Sequence, residues 1–474
     1  MSSLHHKLLL ILSFFIYTPL SLYAETIITL KDNSKIDINS MHSIGVKKSS
    51  FILDINNIKY IFKVKKMSKK LYGNYTIVGS SKDDKSRAIL TISSKSMVGV
   101  VVINDIRYSL SVDLDGLLKI SQDKKSDINK FENDTRLPPS PPVNLDPNKP
   151  PKAFQEAQVS SAGVVIIDLM VLYTQDFSDT NGANTLLVIQ NSVDQANEIF
   201  VNSEIDATYR LVHTQLNTSN LWKESVEIGV ALDALTDDST VQTLRDEKRA
   251  DLVSLMRQYR SKSSCGIAWM MFSDYVNDKA SFKPYGYSVV EYGEIDEGMY
   301  YYECDNMTLA HELGHNLGCD HDWDHDGGGG LYSYSNGHDY DGSGTSQDFA
   351  TIMSYDYPVI GYFSNPNLSH EGRAIGIPAG SVGEADSART IQESRIDVAN
   401  FYAFTGCPSG YVLAQGSEYE CVVVESTAFN PFVDYDCSGE RTSQGGSGCL
   451  GNLPAVQWYL DSENCANIQG SGAC

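Results

Sequence analysis

The segment Leu309–His321, LAHELGHNLGCDH, restricts this chain more than any other stretch. Along a helix successive residues turn by about 100°, so His311 and His315 fall on one face, one turn apart. Leu309, Leu313 and Leu317 form a stripe on roughly the opposite face, which can be buried while both imidazoles look into a cleft. Glu312 flanks the histidine face, close enough to act on a molecule held there. Gly318 can take the left-handed conformation that ends a helix, and the turn then brings His321 back as a third ligand. Three neutral imidazoles with a fourth position left open make a catalytic zinc site and not a closed structural one.

A second motif, Thr351-Ile352-Met353-Ser354-Tyr355, places Met353 32 residues past His321. Met353 reads as an apolar floor under the metal. Tyr355 has two readings, a hydroxyl that hydrogen-bonds the oxygen of a reacting carbonyl or a ring packed on Met353. His325 and His338 read as ordinary loop histidines. Directly after the third histidine, Asp322, Asp324 and Asp326 spell DxDxDG, the opening of a Ca2+ loop. The glutamate expected at position twelve of such a loop is replaced by Ser333. A solvated acidic loop is therefore the favoured reading, and calcium binding the alternative.

The rest of the chain divides by composition. His5, His6 and Lys7 precede the apolar run Leu8–Leu22, and Leu22-Tyr23-Ala24 suits cleavage. Residues 1–24 thus read as a signal peptide of a secreted, extracellular protein. The run is short for a membrane span, and no later stretch is apolar enough to cross a bilayer. Residues 25–136 read as a β-rich domain, with strands at 76–79, 87–92 and 97–103. Residues 137–162 hold the proline-rich linker LPPSPPVNLDPNKPP, a stiff, exposed segment where a protease could separate the halves. Residues 163–405 alternate strands and helices before turning irregular, the pattern of an α/β domain in two lobes with the metal between them. There 164–173 reads as a central strand, 183–202 as a helix striped by Leu186, Ile189, Val193, Ala196 and Phe200, and 285–292 as an edge strand beside the cleft. Such an edge could take an extended peptide by strand addition.

Charge is uneven. Residues 1–151 carry a balance of +8 and the remainder −31, which sum to the net −23. A basic front part can dock on an acidic remainder by complementarity, and the acidic balance argues against nucleic acid as a partner. All nine cysteines follow residue 264, six of them in the small Cys-rich region 406–474, which reads as disulfide-stapled. Cys304 and Cys319 lie at opposite ends of the motif helix, roughly 20 Å apart, and cannot pair. Cys265–Cys304 is the expected bridge, with Cys319 a buried thiol.

HELGHNLGCDHD together with TIMSY resembles the reprolysin-like (adamalysin-type) metzincin zinc endopeptidases, and Asp322 is the residue that group shows after its third histidine. Residues 163 to 404, including Cys265–Ala268, Tyr287–Val290, Gly361–Asn367 and Ser394–Phe401, resemble the bacterial peptidyl-Asp metalloendopeptidases in particular. The resemblance implies zinc on His311, His315 and His321, Glu312 as catalytic base, Met353 as the turn beneath the metal and a contact from Tyr355. It implies that 25–136 is a propeptide, an intramolecular inhibitor. Residues 25–162 hold no cysteine, so inhibition must be steric or through another ligand. It also hints at cleavage before acidic residues, for which Arg373 is the candidate cation. The expected function is a secreted, monomeric zinc endopeptidase made as a zymogen and acting on protein or peptide substrates. The alternative is a binding or adhesion protein on the same scaffold, working through its Cys-rich tail. An intact Glu312 speaks against that alternative.

Overall fold

The computed structural model describes residues 28–112, 115–124, 134–141, 163–260, 264–325, 327–342 and 347–402, with two further short strands at Tyr411–Leu413 and Cys421–Val423. The signal-peptide reading, most of the linker and nearly all of the Cys-rich region lie outside the described residues.

The N-terminal part is one eight-stranded sheet in sequential order. Its strands are β1 (Ile28–Lys31), β2 (Ser50–Ile55), β3 (Ile58–Lys69), β4 (Tyr75–Ser80), β5 (Ser86–Ile92), β6 (Met97–Ile103), β7 (Ile106–Val112) and β8 (Leu118–Gln122). Only β1 and β2 pair in parallel, because helix α1 (Ile38–Lys47) carries the chain back between them. Asp37 caps that helix through its carboxylate, which accepts from the Asn39 amide. Leu30, Phe51, Phe62, Leu90 and Val101 fill a core of their own beneath the sheet. In β6 the run Met-Val-Gly-Val-Val-Val-Ile is buried on both faces, since Val98 points away from that core into the core of the second half.

The second half starts with β9 (Thr135–Arg136), continues with β10 (Val165–Tyr173), helices α2 (Gln175–Asn181) and α3 (Thr185–Asn202), and then β11 (Ala207–Leu216). Helices α4 (Ile228–Asp237) and α5 (Ser239–Lys248) precede β12 (Leu252–Gln258), β13 (Gly266–Trp269), β14 (Tyr287–Asp296) and β15 (Tyr301–Cys304). The sheet order is β11-β10-β12-β14-β13-β9, with β15 paired to the far end of β14. Strands β11, β10, β12 and β14 run parallel and β13 antiparallel. The mixed α/β class is therefore as read from the sequence. The edge strand is not. Strand β14 is interior, and the short β13 is the strand next to the cleft. The alternation in β14 arises because Ser288 is fully buried and hydrogen-bonds Ser254 Oγ on β12 at 2.9 Å, so a polar ladder inside the core imitates a solvent-facing edge.

Helix α6 (Thr308–Asn316) lies across β13 and β14, and α7 (Ser387–Val398) closes the lower side. A disulfide joins Cys265 to Cys304, tying the start of β13 to the end of β15. Cys319 is a buried free thiol whose pKa burial pushes up.

The two halves meet along α3. Asn191 donates to Thr91 on β5 at 3.0 Å, Asp194 takes Lys70 at 3.0 Å and the hydroxyl of Thr76, and Glu198 pairs with Arg87. Lys124–Asp296, Arg107–Asp305 and Arg136–Asp233 repeat the polarity, cation in front and anion behind. The charge asymmetry of the sequence is thus realised as contact.

Candidate metal centre

Helix α6 carries His311 and His315 one turn apart, and Leu309 and Leu313 are fully buried on its other side. Its close seat needs Gly314, where a Cβ would stand 2.7 Å from Met353 Sδ. Met353 is itself fully buried beneath the helix. The helix ends before Gly318, whose φ of 95° is left-handed. The chain then turns to bring His321 against the other two, with ring centroids 5.4 Å from His311 and 4.8 Å from His315.

Backbone carbonyls set the imidazole orientation. His311 Nδ1 lies 2.6 Å from the Ile352 carbonyl and His315 Nδ1 lies 2.9 Å from that of Cys319. Each Nδ1 therefore carries the proton and donates it, which leaves Nε2 with a lone pair turned inward. The two Nε2 atoms face each other at 3.1 Å. Two lone pairs at that distance repel unless a cation lies between them, so the donor set fits zinc. Burial pushes the His315 pKa down to about 4, which keeps it in the neutral form a metal requires.

A fourth group stands with them. Asp134, far upstream at the start of β9, puts Oδ1 2.8 Å from His321 Nε2 and 3.4 Å from His315 Nε2, and Oδ2 3.3 Å from His311 Nε2. All four ligand atoms lie within 4.8 Å of one another. Burial works to raise the Asp134 pKa, but the imidazoles of His321 and His311 outweigh it and hold the carboxyl well below its ordinary range. Sequence reading missed this residue. It belongs to no local motif, and only the fold brings it to the histidines.

Glu312 is buried, its Oε2 has no hydrogen-bond partner among the described residues, and its side chain lies over Gly266 of β13, where any Cβ would meet Oε1 at 2.2 Å. Burial, with the charge of Asp134 added, pushes its pKa well up. The Tyr355 hydroxyl is 2.8 Å from His321 Nε2 and its ring lies against those of His321 and His311. A cavity of about 420 Å³ opens beside Glu312, bounded by Thr308, Tyr355 and Val359 and roofed by Ile106 and Arg107 of the front sheet.

Two expected residues stand elsewhere. Arg373, exposed on the strand Arg373–Ile375, lies over the Tyr340 ring at 4.5 Å and does not line the cavity. The Asp322 carboxylate is taken up internally, accepting from the Asp324 amide at 3.0 Å and the Tyr355 amide at 3.3 Å, with His325 Nδ1 at 2.7 Å. Asp324 is exposed, and Asp326 lies outside the described residues. Asp322 thus braces the turn beneath Tyr355, and the calcium-loop reading loses its first ligand.

A strand–helix domain with three convergent imidazoles, a buried glutamate one residue from the first and a methionine below is the arrangement that the resemblance to metzincin metallopeptidases implies. Residues 165–369 match the Reprolysin_5 family model, metallo-peptidase family M12. The chain is 29% identical over 265 residues to the peptidyl-Asp metalloendopeptidase of Pseudomonas aeruginosa, covering 52% of this chain and 42% of that protein. It is 27% identical over 253 residues to the protein of the same name from Xanthomonas campestris pv. campestris, covering 52% and 54%. The chain thus spans about half the length of the curated relatives it matches. A crystal structure of metalloproteinase-II from Bacteroides fragilis overlaps 77% of this chain and 98% of its own at 14% identity, with a TM-score of 0.40.

Proposed function

We propose that this chain is a zinc-dependent endopeptidase, exported and made as a precursor whose front sheet is its propeptide. The observation that carries the reading is the convergence of three histidine Nε2 atoms beside a buried carboxyl. His311, His315 and His321 would hold zinc, which when bound supplies Lewis acidity and a water acidified to a pKa near 7. Glu312 takes the proton from the attacking water and delivers it to the leaving amine. Its raised pKa suits a group that must both accept and give up a proton near neutrality. Tyr355, beside His321, donates its O–H to the oxygen on which charge develops. The amides of Ala268 and Met270, which now donate to the carbonyls of Asp134 and Arg136 at 3.0 and 2.9 Å, are the donors a substrate strand would use.

The name of the relatives carries a preference for aspartate that is not proposed for this chain. The basic side chains Arg107 and Lys124 at the cavity come from the front sheet, while the rear half brings Glu303, Asp305 and Asp348. Export rests on the signal-like start of the sequence. Among the described residues no helix is long and apolar enough to cross a membrane.

Glu312→Ala tests the assignment. The variant is expected to keep one zinc per chain and to lose roughly 10⁴-fold or more in peptide hydrolysis. Turnover within tenfold of the parent would refute it.

A further inference from the structure

We propose that the cleft beside the metal centre receives a basic side chain of the substrate, arginine or lysine, on Glu303 and Asp305. The inference rests on the peptidase reading above, with the front sheet as the part that leaves, and names the substrate class of that same site. It is carried by the group that fills the cleft in the full chain. Arg107 of β7, its side chain 13% exposed, reaches from the front sheet into the cavity that also borders Glu312. Its Nε stands 2.9 Å from Asp123 of its own half and 3.8 Å from Asp305 Oδ2 of the other. Its Nη2 donates to Gln195 on α3. A guanidinium is drawn out of water only where anions and hydrogen-bond acceptors receive it. Lys124, the second cation at the cavity, also meets the rear half, with Asp296 at 3.3 Å and the Tyr301 ring at 4.7 Å.

Both cations depart with the front sheet, and Asp123 departs with them. Residues 284–372 contain neither lysine nor arginine. Every rear-half residue lining the cavity falls in that stretch, apart from Ser264 and Cys265. Glu303, Asp305 and Asp348 therefore face a cleft to which, among the described residues, the rear half brings no lysine or arginine. Asp305 is held in place for this role. One carboxylate oxygen accepts the Met307 amide at 2.7 Å at the head of α6, which leaves the other for the guanidinium. A substrate arginine restores the pairing that Arg107 makes, and Met307 and Val359 line the walls for its aliphatic stem. An aspartate side chain entering the same place meets like charge and is rejected.

The test is cleavage profiling with zinc-loaded, processed protein obtained from the full chain. The probes are quenched peptides that differ at one position, tried in turn on each side of the scissile bond and filled by arginine, methionine or aspartate. At one of these positions kcat/KM for arginine should exceed that for methionine by at least about tenfold and that for aspartate by roughly a hundredfold. Glu303→Gln, and Asp305→Asn, which keeps an acceptor for the Met307 amide, should each lower the arginine-to-methionine ratio by roughly threefold or more, chiefly through KM. Glu303→Lys should turn the preference toward aspartate, a reversal that a structural role does not produce. Should a variant fail to fold, the profile of the parent protein decides alone. Equal rates for the three side chains at every position, or a preference for aspartate, would overturn the proposal and leave the peptidase reading standing. A folded, zinc-loaded protein that cleaves none of the peptides would overturn both.

Discussion

Helix α3 carries Ile189, Val193, Ala196 and Phe200 on the side toward its own sheet, and Asn191, Asp194, Gln195 and Glu198 on the side toward the front sheet. Both sides are packed. On the first, the Phe200 ring packs, tilted, against those of Tyr209 at 4.8 Å and Phe363 at 5.9 Å. On the second, hydrogen bonds and ion pairs to Thr91, Lys70, Thr76, Arg107 and Arg87 stand beside apolar residues such as Leu71 and Val98. A buried Ile or Phe side chain is worth roughly 1.5–3 kcal/mol, whereas an intramolecular hydrogen bond nets about 1 kcal/mol, because water takes its place when it opens. The apolar side therefore binds the domain together for good. The polar side forms a seam that can be undone at lower cost, as the proposed role of the front sheet as a propeptide requires.

The largest effect that would sharpen this contrast is Phe200→Ala. Emptying that site should cost roughly 4 kcal/mol and lower the melting temperature of the peptidase domain by about 10 °C. A shift below 3 °C would mean that the apolar side is not what holds the helix.

Asp194→Ala comes next and acts on the opposite side. It removes the acceptor of Lys70 and Thr76 from a buried position, so docking of the front sheet should weaken by roughly 2 kcal/mol, about thirtyfold in the dissociation constant. The check is retention of the cleaved front part on gel filtration, with the melting of the peptidase domain unchanged. If Phe200→Ala and Asp194→Ala moved the same transition equally, the seam and the core would be one unit and the contrast would fail.

The same division explains what could be read from sequence. His311, His315 and His321 were legible because helix geometry and one glycine bring them together within eleven residues, and Met353 because its turn has its own local motif. Asp134 was invisible for the opposite reason. Its meeting with the histidines depends on a whole sheet docking and on a strand crossing β13, and no spacing encodes that. Tyr287–Tyr292 was misplaced because alternation reports polarity and not exposure, and Ser288 satisfies its hydroxyl inside the core. Arg373 failed in a similar way. A lone cation in an acidic stretch has a charge but no direction, and the fold points it at Tyr340.

The smallest effect tests the seam by pH. Glu303 lines the cavity under the front sheet, and burial, followed by the charges of Asp123 and Asp305, raises its pKa to about 8, against opposing help from the Tyr301 hydroxyl and Arg107. Asp123 belongs to the front sheet, so docking itself supplies part of that rise. A carboxyl with a raised pKa holds a proton in the docked state that it gives up when exposed. Its contribution to docking is complete below the ordinary value near 4.5 and is lost as pH climbs through about 8. Release of the cleaved front part should therefore quicken by roughly an order of magnitude between pH 5 and pH 8, and Glu303→Gln should flatten that slope. The readout is the dissociation rate of the fragment at each pH in the parent and in the variant. A parent whose front sheet leaves faster in acid than at pH 8 would show that Glu303 does not govern its opening.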